Sequence, residues 1–494
     1  MEYSGATTNA GGNQLLLRGP LLILMSLAAA WLAHLAGFNQ QQMMSSAIFI
    51  MIISATLLFW EFRLAIAFVG IALLLGTRAL TLHSFIESSE LDIILFLVGM
   101  MVTVGVLKEL GLFTWIIQTV ISLKQINGVG FIAIIVFMSA LMACTVDEVT
   151  SIVFVSALIF QVCDTLKMRP IPFVMIAVMA TNIGSSGTML GNPVGILIGY
   201  KAGFTFGDFI VWSFPIMLVS LVVTLGLLLV WYRKEIKLLS ERLQARRDMG
   251  LGLGPLVKIP YRRGLMILVG VITLIASHHW LEEEVLHVEK NTVLIVAPLF
   301  IAGLLMIWRH QRARHYIEEE VEWWTLLFFM MLFAVAGTLE HTGVTARIAE
   351  DFSQAFAGNP GLLTPVIIVV SALGSAFVDN VVFVAAFIPV VRELNMTEFW
   401  WALLFGGCFG GNITMIGSTA NIVALGMLEK RYRTQIKFGE WLKIGSVVGA
   451  VTCLIAWIGL AILSPYMPEM PEAPTPVQEI QTPADTEPTP PAAH

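Results

Sequence analysis

Two adjacent carboxylates, Asp147 and Glu148, stand inside the stretch ALMACTVDEVTSIVFVSAL, with apolar residues on both sides for more than a helical turn. A third, Asp379, stands in SALGSAFVDNVVFV, which begins at Ser371. An ionised carboxylate at the centre of a bilayer costs roughly 3 kcal/mol or more, so such groups face water, an ion or a partner. Neither stretch contains a Lys or Arg to neutralise them. The chemistry open to them is therefore binding of a small cation and exchange of protons. A solvated pair of tips near the membrane interface is the plainer alternative.

A second set of polar residues interrupts two other apolar runs. TNIGSSGTMLGNP covers 181–193 and GNITMIGSTAN covers 411–421. Glycine lets the chain unwind. Exposed carbonyls with Ser, Thr and Asn oxygens then form a cage for a hard cation, and the N-termini of the half-helices can hold an anion. The candidate ion- or substrate-binding residues are Thr145, Asp147, Glu148 and Asp379 at the acidic stretches. Thr181, Asn182, Ser185, Thr188, Asn192, Asn412, Thr414, Ser418, Thr419 and Asn421 join them at the interruptions. Small residues also mediate helix packing in membranes. Packing alone does not account for their clustering at the same break in two halves.

The elements that position these residues are membrane helices. Of 494 residues, 57% are hydrophobic and 13% charged, and the mean hydropathy is +0.83. Soluble domains carry about 25% charged residues. The apolar residues come in runs of roughly 15 to 25, the length of a bilayer crossing. A β-barrel is excluded because its strands alternate and these runs do not. The four cysteines lie in apolar runs without a C-x-x-C pair, and the histidines show no metal-ligand spacing. No phosphate-cradling G-x-x-x-x-G-K-[ST] is present. No enzymatic activity, cofactor or nucleic-acid partner is expected, and no cleavable signal peptide is evident.

Several runs read as too short to span alone, among them the pair around Val146 and the pair around Val378. Each pair reads as a re-entrant hairpin, with tips at Thr145–Ser151 and Val378–Val381. Interrupted segments at matching places in two halves point to a transporter site. The halves match at an offset of 232, which lays Ser139 on Ser371, Gly105 on Gly337 and Phe206 on Phe438. Asn182 is paired with Asn412, and TMLG at Thr188 with TMIG at Thr414. A constant offset across separated matches indicates internal duplication.

Loop charges make the repeats inverted. Loop 233–263 carries nine Lys and Arg against three acids, which places it in the cytoplasm. Arg309, Arg312 and Arg314 are cytoplasmic, and Glu282, Glu283 and Glu284 face out. The basic loop 309–322 corresponds to an acidic stretch near His83–Glu90. The N-terminus is then cytoplasmic and the C-terminus external. The expected organisation is a cytoplasmic segment (1–19), an extra helix (20–43), a first repeat (44–232), a basic linker (233–264), a second repeat (265–464) and a Pro-rich disordered tail (465–494). Glu61 and Arg63 read as an interface pair. Trp323, Trp324, Trp400 and Trp401 read as interfacial anchors.

Together, CTVDEVT (144–150), TNIGSSGTMLGNP, SAFVDNV (375–381) and NITMIGSTAN resemble the ion transporter superfamily. That group contains citrate and dicarboxylate permeases, arsenite permeases, NhaD-type sodium/proton antiporters and the pink-eyed dilution protein. The resemblance runs from about Ala47 to Leu463. It implies an all-α polytopic fold with two re-entrant hairpins and two broken helices. It also implies a homodimer and elevator-type alternating access. By position it implies binding roles for Asp147, Glu148, Val149, Asp379, Asn380 and Val381, with Asp147, Glu148, Asp379 and Asn380 as candidate sodium ligands. Dicarboxylate members carry Ser-Asn-Thr at each tip, and this chain does not. The expected function is secondary active transport in the plasma membrane (the inner membrane if bacterial), coupled to sodium or protons. Sodium/proton exchange leads, cation-coupled uptake of an organic acid follows, and arsenite-type efflux is third. The expected partners are membrane lipid and a small inorganic ion or organic anion.

Overall fold

The computed structural model describes residues 10–59, 62–123, 125–253, 259–356 and 360–470. Among them every regular element is a helix. A helix satisfies its own backbone groups, the condition for burying such a chain in lipid. Seven helices are long and apolar enough to cross a membrane, or up to nine if each of two bent pairs counts as one span.

The duplication is written into the helix boundaries. Leu91–Glu109 and Trp323–His341 start and stop 232 residues apart. Leu112–Ile121 and Val344–Ala355 start 232 apart, each behind a left-handed glycine, Gly111 at φ 76° and Gly343 at φ 73°. The first hairpin, Gly128–Thr145 with Glu148–Leu166, aligns at its tip with the second, Leu363–Phe377 with Asn380–Leu394. Phe206–Trp231 matches Phe438–Leu463 from end to end.

Between hairpin and last helix the register slips. Ile171–Gly184 and Pro193–Ala202 find their counterparts, Thr397–Gly410 and Thr419–Tyr432, at 226 rather than 232. The second hairpin returns in 15 residues where the first takes 19. Thr419–Tyr432 gains the length back, with 14 residues against 10. The slip corrects one sequence pairing, because at 226 the residue opposite Asn182 is Cys408, not Asn412. Packing confirms this. A Cβ on Gly184 would lie 2.4 Å from Ala140 Cα, and one on Gly410 would lie 2.4 Å from Ala372 Cα. Each interrupted helix thus crosses its own hairpin at a glycine, where backbones approach closely.

The hairpin turns are tight, Val146–Asp147 and Val378–Asp379 between helices. Each aspartate caps the returning helix: Asp147 Oδ1 accepts from Thr150 N at 2.7 Å and Asp379 Oδ1 from Val381 N at 3.1 Å. An acidic cap suits the positive end of a helix. The legs of the first hairpin are longer than the apolar runs imply, at 18 and 19 residues, and each is long enough to cross a membrane. The helices continue through small polar residues that bond to each other. Ser151 Oγ, for example, donates to the Ser139 carbonyl at 2.8 Å.

Two sets of helices result. A core set holds both hairpins, both interrupted helices, Phe206–Trp231 and Phe438–Leu463. The outgoing half of each interrupted helix packs on the other repeat's hairpin: Pro193–Ala202 on Asn380–Leu394, and Thr419–Tyr432 on Glu148–Leu166. A frame set holds Gln40–Leu58, Arg63–Gly76, Leu91–Glu109, Thr292–Trp308 and Trp323–His341. The basic linker contains a helix, Arg233–Asp248, strapped to both ends of the first hairpin. Ser240 Oγ accepts from Gly128 N at 3.0 Å, Arg247 Nη2 donates to the Ile126 carbonyl at 2.8 Å, and Arg242 Nη1 donates to the Lys167 carbonyl at 2.7 Å.

One expectation needs correction. Trp400 and Trp401 are not interfacial anchors: both are fully buried, and Trp401 stacks on Phe204 at 4.5 Å. Trp323 and Trp324 are exposed as expected. Glu282 is set apart from its exposed neighbours Glu283 and Glu284. It is buried, and its carboxylate accepts from Asn291 N and Val293 N, capping Thr292–Trp308. Arg63 is buried in the frame, its guanidinium 5.0 Å above the Phe328 ring. Glu61, its expected partner, lies outside the described residues, as do the first nine residues and the tail from 471.

The glycine crossings yield a stability prediction. Gly410→Val should cost about 1–3 kcal/mol through overpacking against Ala372, read as a lower unfolding temperature in detergent. Gly426→Ala, where a Cβ meets nothing within 4 Å, should leave that temperature unchanged or raise it.

Candidate functional site

Each break is clamped to its own hairpin by a threonine. The Thr188 hydroxyl donates to the Cys144 carbonyl, and the Thr414 hydroxyl to the Ala376 carbonyl. Those carbonyls end helices and lack intrahelical partners. The same oxygens accept from Leu190 N at 3.2 Å and Ile416 N at 3.3 Å. Thr188 and Thr414 are therefore committed to holding break against tip.

The outgoing half-helices begin at Asn192 and Ser418. Asn192 Oδ1 accepts from Gly195 N at 2.9 Å, and Ser418 Oγ from Ala420 N at 3.2 Å. Both caps also reach Glu148. Asn192 Nδ2 donates to Glu148 Oε2 and Ser418 Oγ donates to Oε1, each at 3.3 Å. The buried Glu148 carboxylate thus sits where the positive ends of two half-helices meet, one from each repeat. Asp379, also buried, accepts from Thr419 Oγ1 at 2.7 Å. Asn380, the counterpart of Glu148, accepts from Val381 N at 2.9 Å, and its buried Nδ2 has no protein partner.

Asn182 ties the two breaks together. Its Nδ2 donates to Asn412 Oδ1 and Asn421 Oδ1, both at 2.9 Å. Asn421 Nδ2 donates onward to the carbonyls of Gly411 at 2.7 Å and Thr414 at 3.0 Å. Ser185 Oγ donates to the Asn182 carbonyl at 3.0 Å and accepts from Asn192 at 3.1 Å. Thr181 lies 3.4 Å from the Ser151 hydroxyl. Of the sequence candidates, Thr145 stays apart: its hydroxyl bonds back to the Leu141 carbonyl of its own helix at 2.8 Å.

A cavity of about 270 Å³ opens onto this junction. Its inner wall includes Asp147, Glu148, Thr150, Asn192 and Thr419, and its lip includes Lys108, Glu319, Glu320 and Glu322. Asp379 lies behind Thr419. Among the described residues no three acidic, His or Cys groups converge on one metal position. A cation held here would need hydroxyl, amide or carbonyl oxygens alongside the carboxylates.

Sequence reasoning missed two neighbours. Arg63 lies within electrostatic range of Asp379 and Glu322, and its Nη2 donates to Thr325 Oγ1 at 3.4 Å. Cys408 places its thiol 3.4 Å from Asn192 Nδ2. Neither carries a local signal. Arg63 reaches the site by tertiary packing, and Cys408 only through the register slip.

The comparisons with known proteins decide the family. A sequence model described as "Citrate transporter" matches residues 48–406. The chain belongs to the citrate transporter family. It is similar to an uncharacterized transporter of Mycobacterium tuberculosis, with 32% identity over 377 residues, covering 75% of this chain and 85% of that protein. It is also similar to the mouse P protein, with 26% identity over 514 residues, covering 87% of this chain and 62% of that one. The solved Alcanivorax borkumensis YdaH transporter shares the fold at a TM-score of 0.51 and 16% identity, covering 80% of this chain and 89% of that one. The resemblance read from the motifs is thus borne out. This citrate-family transporter is an integral membrane protein, all-helical, with paired hairpins and interrupted helices.

The asparagine tie is testable. Asn182→Ala leaves two buried amide oxygens without their donor, so it should cost about 2–3 kcal/mol. Thermal unfolding in detergent measures the loss.

Proposed function

We propose that this transporter moves a small polycarboxylate of the citrate kind together with a cation, by alternating access. The observation that carries the reading is Glu148 at the junction of two half-helix N-termini, with Asp147 beside it and Asp379 behind Thr419. Those carboxylates repel a bare polyanion. A cation must therefore arrive first, or with the cargo. Once it neutralises Glu148, the helix N-termini capped by Asn192 and Ser418 suit a substrate carboxylate. The family description supplies the organic acid, and the acidic wall supplies the need for coupling.

In the orientation read from loop charge, the cavity opens to the cytoplasm, because its lip includes Glu319 and Glu320 of the basic loop. Elevator-type movement would slide the core set against the frame set, with the frame set joining two copies in a homodimer. Sodium/proton exchange is the second reading, favoured by the absence of any Arg or Lys from tips and breaks. Arsenite-type efflux ranks below both.

Flux into proteoliposomes under imposed sodium and pH gradients separates these readings. Citrate accumulation that requires the cation gradient is the expected result. Sodium-driven proton movement without citrate would establish exchange instead. Asp147→Asn and Asp379→Asn should each abolish coupled flux while the protein elutes and melts as wild type. Full flux in both variants would remove the acids from the site.

A further inference from the structure

The two repeats build two clefts, and only one is open. The open one is the 270 Å³ cavity, lined in part by Met101, Val104, Lys108 and Val153. The other is a remnant of about 50 Å³, lined by Phe333, Ala336, Glu340 and Ala385. These are the same four positions, 232 residues on. The frame is alike on both sides. Ser88 packs on Gly337, where a Cβ would lie 2.3 Å from its Oγ, and its counterpart Glu320 packs on Gly105, 2.7 Å from its Cγ.

What differs is where the lip charges go. At the open cleft they are satisfied within the frame and its adjoining loop. Lys108 pairs with Glu320 at 3.0 Å, and Glu322 accepts from Thr325 Oγ1 at 3.3 Å. At the closed cleft the equivalent positions reach across to the core. Glu340, counterpart of Lys108, pairs with Arg392 at 2.7 Å. Glu90, counterpart of Glu322, pairs with Lys201. Arg392 belongs to the second hairpin and Lys201 to the half-helix packed on it. Both acids stand on one side of the boundary and both bases on the other, so the pairs pull in one direction.

We infer that Glu90–Lys201 and Glu340–Arg392 are the gate residues of the second cleft, holding core against frame while the first cleft is open. They are positioning residues that must part for that cleft to admit cargo. The inference rests on the alternating-access reading above, but not on the identity of the cargo.

The test is cysteine accessibility in the full chain reconstituted into liposomes. Val153→Cys reports the first cleft and Ala385→Cys the second, each against the parent protein, with a membrane-impermeant maleimide applied from either face. Val153→Cys should react and Ala385→Cys should be protected. Combining Glu90→Gln with Glu340→Gln should raise the Ala385→Cys rate severalfold and lower the Val153→Cys rate. The charge swap Glu340→Arg with Arg392→Glu should restore protection relative to Glu340→Arg alone. Unchanged rates on neutralisation would overturn the inference, as would a rise at both positions or a swap that restores nothing. Labelling needs no cargo, so it can fail while cation-coupled flux stands, and the reverse.

Discussion

A carboxylate removed from water needs compensation, and Glu148 receives it from the ends of two half-helices. Much of the molecule follows from that need. For two helix ends to meet one side chain, two helices must break at the same depth. For them to break, glycines must allow unwinding, and the freed carbonyls need donors. Thr188 and Thr414 supply donors at the hairpin tips. Trp441 Nε1 supplies another to the Asn412 carbonyl at 3.0 Å. Asn182 then locks one break to the other.

Two helix pairs agree end to end at an offset of 232, and the copies disagree around the candidate site. The second hairpin returns early, the following break is displaced, and a longer half-helix restores the register. Asn182 and Cys408 consequently occupy equivalent places with unlike chemistry. Glu148 and Asn380 do the same at the tips. At that position one copy presents a charge and the other an amide, although each tip keeps its aspartate, Asp147 or Asp379. A duplicated scaffold thereby carries a site that is not itself duplicated.

Much of this was legible in the sequence. The acids in apolar runs, the paired Gly/Asn interruptions and the recurring offset specify hairpins, breaks and repeat, because each breaks a rule that membrane helices otherwise keep. Element ends were less legible. The apolar runs of the first hairpin stop short of its tip, whereas its helices include Thr145, Ser151 and Thr165. Burial of Trp400 and Trp401 was invisible, since a tryptophan at a helix start reads as an anchor until a neighbour such as Phe204 covers it. Arg63 was likewise hidden, because its partners are brought to it by helices hundreds of residues away.

The strap Arg233–Asp248 exists for one hairpin, with nothing like it on the other among the described residues. Two strictly equivalent halves would give two states of equal free energy, and a carrier resting half its time on each side. Any element that one half owns alone tilts that balance. Under the alternating access proposed above, the connector between the repeats would be more than a tether: it would set where the molecule waits.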